Sequence, residues 1–202
     1  LGGNMRLAAY PPGKGDITNM IRSYIHRCQK DGVKIVMNCE VTPELIKEEK
    51  PDSVIIATGS KTLILPIEGI DNPAIIHGSD LLDGKRAAGK KVLVVGGGMV
   101  GCETAAFLGE QEHDVTVIEF RDTVGADVIH EHRVYLMKDF EDYGIKEITG
   151  AKVCKFYEDG VEYETADGVR HESRGYDSVI LSMGFRNYNP LEEKIKDLVP
   201  ET

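Results

Sequence analysis

Three glycines in one short run, Gly96, Gly98 and Gly101, have the spacing that phosphate binding asks of a backbone. They follow the apolar run Val92-Leu93-Val94-Val95, which suits a strand buried on both faces, and they precede Cys102-Glu103-Thr104-Ala105-Ala106-Phe107-Leu108, which reads as a helix. In such a unit the first glycine permits the tight turn, the second lets backbone approach a pyrophosphate, and the third lets helix pack on strand. The N–H groups of the helix start then face the phosphates. Asp114-Val115-Thr116-Val117-Ile118 reads as the next strand, and Glu119 falls at its carboxyl end, roughly ~20 residues on, where an acid accepts hydrogen bonds from the adenosine ribose. A carboxylate there repels a 2′-phosphate, so the expected cofactor is NAD(H) rather than NADP(H). Arg121 runs against this, because an arginine just past the acid can contact a 2′-phosphate; the other reading is a solvated surface arginine.

The elements that must position these residues follow from the rest of the chain. Residues 1–15 are rich in glycine and proline and read as loop. Asp16 or Thr18 caps a helix that carries Ile17, Met20, Ile21, Tyr24 and Ile25 at helical spacing and ends near Gly32. Val33 to Met37 reads as a short strand continued or closed by residues 38–42, Pro43 to Glu49 as a short acidic helix, and Ser53 to Ala57 as a buried strand stopping at Thr58-Gly59. Residues 69–89 form a connector with a short strand at Ile75-Ile76 and a capped helical turn at Ser79 to Asp83. Val128 to Tyr143 is helical with Gly144 as its stop. Ala151 to Tyr157, Val161 to Thr165 and Val169 to Glu172, separated by two Asp-Gly turns, form a three-stranded antiparallel meander that covers one face of the parallel sheet. Ser178 to Ser182 is the last buried strand.

Composition narrows the function. With 202 residues and 41% hydrophobic content the chain can build a real core, and no stretch approaches the ~18 apolar residues of a membrane span. A net charge of −10 argues against nucleic acid or anionic membrane as a partner. Cys28, Cys39, Cys102 and Cys154 are scattered without metal-ligand spacing and read as buried thiols of a reducing, cytoplasmic protein. His130 and His132 lie two apart, make a poor metal pair on a helix, and read as surface histidines. Leu1 is not a normal translation start, so the expectation is a piece of a longer chain.

Ala57-Thr58-Gly59, then Pro66-Ile67-Glu68-Gly69, then the strand and its glycine fingerprint resemble the flavoproteins that carry two dinucleotide-binding domains, one for FAD and one for a nicotinamide cofactor. Leu-Gly-Gly-Asn at 1–4, Pro-Gly-Lys at 12–14, and Met-Gly-Phe-Arg with Asn-Pro-Leu at 183–191 are similar to the carboxyl-terminal half of the NADH:flavin oxidoreductases related to 2,4-dienoyl-CoA reductase, enoate reductase and trimethylamine dehydrogenase. The resemblance implies an α/β fold: a Rossmann-like parallel sheet flanked by helices, with the meander and an incomplete FAD-domain segment. It divides the chain into a partial FAD-binding segment (1–69), an NAD(H)-binding domain (70–188) and the start of a return to the FAD domain (189–202). It further implies an enzyme fragment, inactive alone, in which NADH reduces FAD, with FMN and an iron–sulfur cluster in a missing amino-terminal barrel that takes an enoyl or dienoyl substrate.

Carried over by position, Gly96, Gly98, Met99, Val100 and Gly101 hold the pyrophosphate, Glu119 the ribose, and Gly184 lines the cofactor cleft. Glu103 matches a glutamate beside the nicotinamide; its alternative is a solvent-facing acid that favours the helix dipole. Gly3, Val41, Thr58 and Gly59 match positions near FAD. No catalytic acid, base or nucleophile is expected, since hydride transfer is carried by the cofactors. Two other readings stay open: a non-catalytic adenine-nucleotide module, and a fragment of a disulfide reductase, which needs a redox cysteine pair that residues 1–27 do not supply.

Overall fold

The computed structural model describes residues 1–198, so the last four residues of the predicted return segment lie outside it. In chain order, helices α1 (Asp16–Lys30) and α2 (Pro43–Glu49) precede strand β1 (Ser60–Thr62), strand β2 (Ile76–His77), helix α3 (Gly78–Leu82) and strand β3 (Lys91–Val95). Helix α4 (Met99–Glu110), strand β4 (Asp114–Ile118), helix α5 (His130–Asp142) and strand β5 (Lys146–Ile148) follow. The meander strands are β6 (Lys152–Tyr157), β7 (Gly160–Glu164) and β8 (Arg170–Ser173), and the chain ends with β9 (Ser178–Leu181), β10 (Phe185–Asn187) and helix α6 (Glu192–Ile195).

Five strands make a parallel sheet in the order β2-β9-β3-β4-β5. Alternate residues of β3 feed two cores, because successive side chains of a strand point to opposite faces. Val92 and Val94 pack with Cys102, Ala105, Ala106 and Leu108 of α4 and with Leu136 and Phe140 of α5. Leu93 and Val95 pack on the other face with Phe156 and Val161 of the antiparallel β6-β7-β8 meander. The predicted cover over one face of the sheet is therefore present, and the continuous apolar run of β3 is explained by burial on both sides. The mixed α/β class is as predicted; β5 and the antiparallel β1-β10 ribbon carried no sequence signal that was read.

Two expected strands do not form. Val33 to Met37 is irregular, with Val33, Ile35, Val36 and Met37 exposed, and Ser53 to Ala57 is irregular as well, with Ile55 93% exposed. An extended segment needs a neighbouring strand to satisfy its backbone groups, and neither has one among the described residues. The apolar face of α1 is only partly covered, with Ile17, Ile21 and Ile25 half-buried, Met20 and Tyr24 exposed and no residue of the helix fully buried. The cap predicted at Asp16 or Thr18 falls instead on Gly15, which supplies no side-chain bond. Residues 38–42 likewise add no strand; Thr42 caps α2 by accepting from the Leu45 N–H at 3.3 Å. A small separate core joins Ile46 of α2 to Leu191 and Ile195.

Candidate functional site

In an open parallel sheet, ligands bind outside the carboxyl ends of the strands where the strand order reverses. From β3 the chain moves outward to β4 and β5 and later returns to β9 on the other side of β3, so the crevice between β3 and β9 is that point. A cleft of about 460 Å³ opens there, lined by Gly96, Gly98, Met99 and Val100 after β3, Glu119 and Arg121 after β4, and Ser182 to Gly184 after β9.

Packing dictates the glycines. A Cβ on Gly101 would stand 1.8 Å from the Gly96 carbonyl oxygen, and one on Gly96, whose φ is +106°, would stand 2.4 Å from the Ser182 carbonyl oxygen. Turn, helix and returning strand thus meet backbone to backbone. Gly97, which is not one of the three fingerprint positions, is also constrained, though by side chains: its Cβ would lie 2.9 Å from both Glu119 Cβ and Val124 Cγ1. Gly98 differs, since the nearest atoms to its Cβ would be the Asp127 carboxylate oxygens, from 3.1 Å.

Glu119 braces this turn from below. Its Oε2 accepts the Gly97 N–H at 2.6 Å and its Oε1 accepts the Arg121 N–H at 2.9 Å. A carboxylate offers about four lone-pair sites, so two acceptor positions remain for ribose hydroxyls. Met99's amide, expected to face a phosphate, instead donates to Asp127 Oδ1 at 3.0 Å. Other first-turn amides have no intrahelical acceptor, as at any helix start, and the Val100 residue lines the cleft. Ser182 is buried at the cleft wall with its hydroxyl unpartnered among the described residues. The cradle fits a dinucleotide at the turn and at Glu119.

Glu103 corrects an expectation. It is not solvent-facing: only 6% exposed, it accepts from the Lys14 ammonium, and His132 Nε2 lies 3.0 Å from the same Oε1. The three groups line a second hollow, of about 380 Å³, between the Pro11–Lys14 loop, α4 and α5, and not the cleft. His132 is therefore no idle surface histidine; its partner lies 29 residues away in sequence, which spacing alone does not reveal. Glu103→Gln keeps the shape and removes the charge that Lys14 faces. With Lys14 and His132 part-exposed the loss is moderated, and thermal melts should show a destabilisation of about 1–2 kcal/mol.

Four of the predicted positions, Gly3, Val41, Thr58 and Gly59, lie apart from the cleft. Gly3 starts a short 3-10 helix and Val41 is exposed. Thr58 donates its hydroxyl to the Tyr188 carbonyl, and the Gly59 carbonyl accepts the Tyr188 N–H at 3.0 Å, so this pair ties the outgoing chain to the returning one beside β1 and β10. Gly184, with φ +97°, lines the cleft as expected. Of the cysteines, expected to be buried, only Cys102 is; Cys39 is exposed and Cys28 and Cys154 are intermediate, since Cys28 and Cys39 lie outside the two sheet cores and β6 contributes Val153 and Phe156, not Cys154, to one of them. All four are free, and burial pushes the Cys102 thiol up to about 12, which removes it as a nucleophile. Among the described residues no cluster of histidine, cysteine and acidic side chains could hold a metal, and no helix is long and apolar enough to cross a membrane.

Comparison with known proteins shows the family. The family model of the pyridine nucleotide-disulphide oxidoreductases matches residues 13–198. Bilirubin reductase of Mediterraneibacter gnavus (strain CC55_001C) is 32% identical over 186 residues, covering 92% of this chain and 29% of that protein. Cinnamate reductase of Clostridium sporogenes is 29% identical over 203 residues, covering 99% of this chain and 30% of that protein. The solved complex of 2-naphthoyl-CoA reductase with 2-naphthoyl-CoA superposes on all of this chain with a TM-score of 0.90 at 32% identity, and the match takes up 30% of that structure's chain. The chain thus spans about three tenths of the length of these relatives.

Proposed function

The chain belongs to the pyridine nucleotide-disulphide oxidoreductase family, and from that premise we propose that residues 70–188 are the NAD(H)-binding module of a flavin-dependent reductase. Residues 1–69 and 189–202 are then parts of its FAD-binding domain. The β1-β10 ribbon supports that division, because it pairs the chain where it enters the module with the chain where it leaves. The observation that carries the reading is the joint placement of the glycine turn and Glu119 at the reversal point of the sheet.

When bound, NADH supplies a hydride and FAD accepts it. The chain's own residues bind and orient. Gly96 and Gly101 let the turn close on itself, Gly98 and the Val100 amide present backbone to the pyrophosphate, Glu119 takes the ribose, and Gly184 keeps the far wall free of a side chain. Glu103 acts at one remove by fastening the Pro11–Lys14 loop to the fingerprint helix. A disulfide-reductase chemistry needs a reactive redox cysteine, and Cys102, fully buried with its thiol pushed up to about 12, is a poor candidate for one. The relatives' names point to reduction of conjugated molecules, so an enoyl or dienoyl-type substrate, reached through FMN and an iron–sulfur cluster in a preceding domain, is the proposed outlet.

Calorimetric titration of the protein with NADH, NADPH and ADP tests the reading. NADH should bind at least about tenfold more tightly than NADPH, a gap of ~1.4 kcal/mol, and more tightly than ADP, which lacks the nicotinamide half. ADP binding as well as NADH would favour a non-catalytic nucleotide module, and preference for NADPH would mean that Arg121 outweighs Glu119.

A further inference from the structure

The loop after β4 places a carboxylate where the cofactor's own negative charge has to sit. Asp127 Oδ1 accepts the Met99 N–H at 3.0 Å, and its oxygens are the atoms nearest to the bare face of Gly98. Asp127 is no passing visitor there. The Gly125 N–H donates to the Gly97 carbonyl at 2.7 Å, Val124 is wholly buried beneath the turn, and the Arg133 guanidinium holds the Val124 carbonyl and the Thr123 hydroxyl. Loop and glycine turn are thus fastened together just ahead of the acid.

A helix start offers the equivalent of about half a positive charge, which a full carboxylate more than cancels. Among the described cleft-lining residues Glu119 and Asp127 are acidic and Arg121 is the one cation. A pyrophosphate diester brings two negative charges to this place. We propose that Asp127 is an affinity-setting residue of the cleft: it braces the glycine turn by capping Met99 and, by its charge, holds dinucleotide affinity below what the turn could otherwise reach. The inference rests on the reading of the cleft as a dinucleotide site.

Asp127→Asn separates the two roles, since the amide keeps an acceptor for the Met99 N–H and loses the charge; Asp127→Ala loses both. The full-length protein and both variants would be titrated with NADH, and with adenosine as a probe without phosphate, at low and high salt, after melts confirm folding. Asp127→Asn should bind NADH about tenfold more tightly than the unmodified protein, because one charge facing two at several ångströms is worth that much even in water. The gain should shrink as salt rises and be missing for adenosine. Unchanged or weaker NADH binding by a folded Asp127→Asn protein would overturn the inference and leave Asp127 a brace only, as would an equal gain for adenosine. Should the asparagine variant not fold, tighter NADH binding by Asp127→Ala supports the proposal and weaker binding overturns it. If the unmodified protein and both variants fold and none takes NADH, the dinucleotide reading itself falls, and this inference with it.

Discussion

Gly101→Ala should destabilise the protein by on the order of 3 kcal/mol and abolish measurable NADH binding. The added methyl would stand 1.8 Å from the Gly96 carbonyl oxygen and 2.8 Å from its carbon, and neither is the end of a flexible side chain that could swing away. Relief requires α4 to move off β3, and that separates Cys102 and Ala105 from Val92 and Val94 in the helix-side core. For a domain of this size the loss corresponds to a fall of roughly 6–12 °C in Tm. Gly98→Ala is the informative comparison. Its methyl would meet only the Asp127 oxygens from 3.1 Å, so stability should change little, while the methyl itself would occupy the surface offered to the pyrophosphate and lower NADH affinity. A Gly101→Ala protein melting within about 1 kcal/mol of the original would show that helix and turn have more room than this packing allows.

That pair also shows what is legible in the sequence itself. Spacing identified Gly96, Gly98 and Gly101, and the run after them identified the helix, because periodicity and turn chemistry are local properties of the chain. The Asp-Gly turns located the meander for the same reason, since each hairpin is specified by its own few residues. The constraint on Gly97 was not legible: it comes from Glu119 and Val124, which only folding brings alongside. Asp127 and His132 were missed in the same way, as neither stands in a motif and their partners Met99 and Glu103 lie 28 and 29 residues off. Ser53 to Ala57 failed in the opposite direction. Its apolar run is a sound strand signal, but a strand is a property of at least two segments, and the described chain offers this one no partner.

Glu119→Ala should weaken NADH binding about 100-fold, or ~2.7 kcal/mol, and erase or reverse the preference for NADH over NADPH. Two losses combine. Charge-assisted hydrogen bonds to the ribose hydroxyls disappear, and they are among the stronger contacts a neutral sugar can make. The Gly97 and Arg121 N–H groups also lose their acceptor, so the turn that presents the phosphate-binding amides is less firmly held. NADPH should lose little by comparison, since removal of the carboxylate removes the repulsion of its 2′-phosphate and leaves Arg121, on the same cleft wall, free to face that group. Parallel titrations of both cofactors separate these effects: the brace alone would weaken the two equally and preserve their ratio, whereas a ribose contact changes the ratio itself. NADH affinity untouched by Glu119→Ala would place the ribose elsewhere, and the NAD(H) assignment would then have to rest on the other side of the cleft, at Ser182 to Gly184.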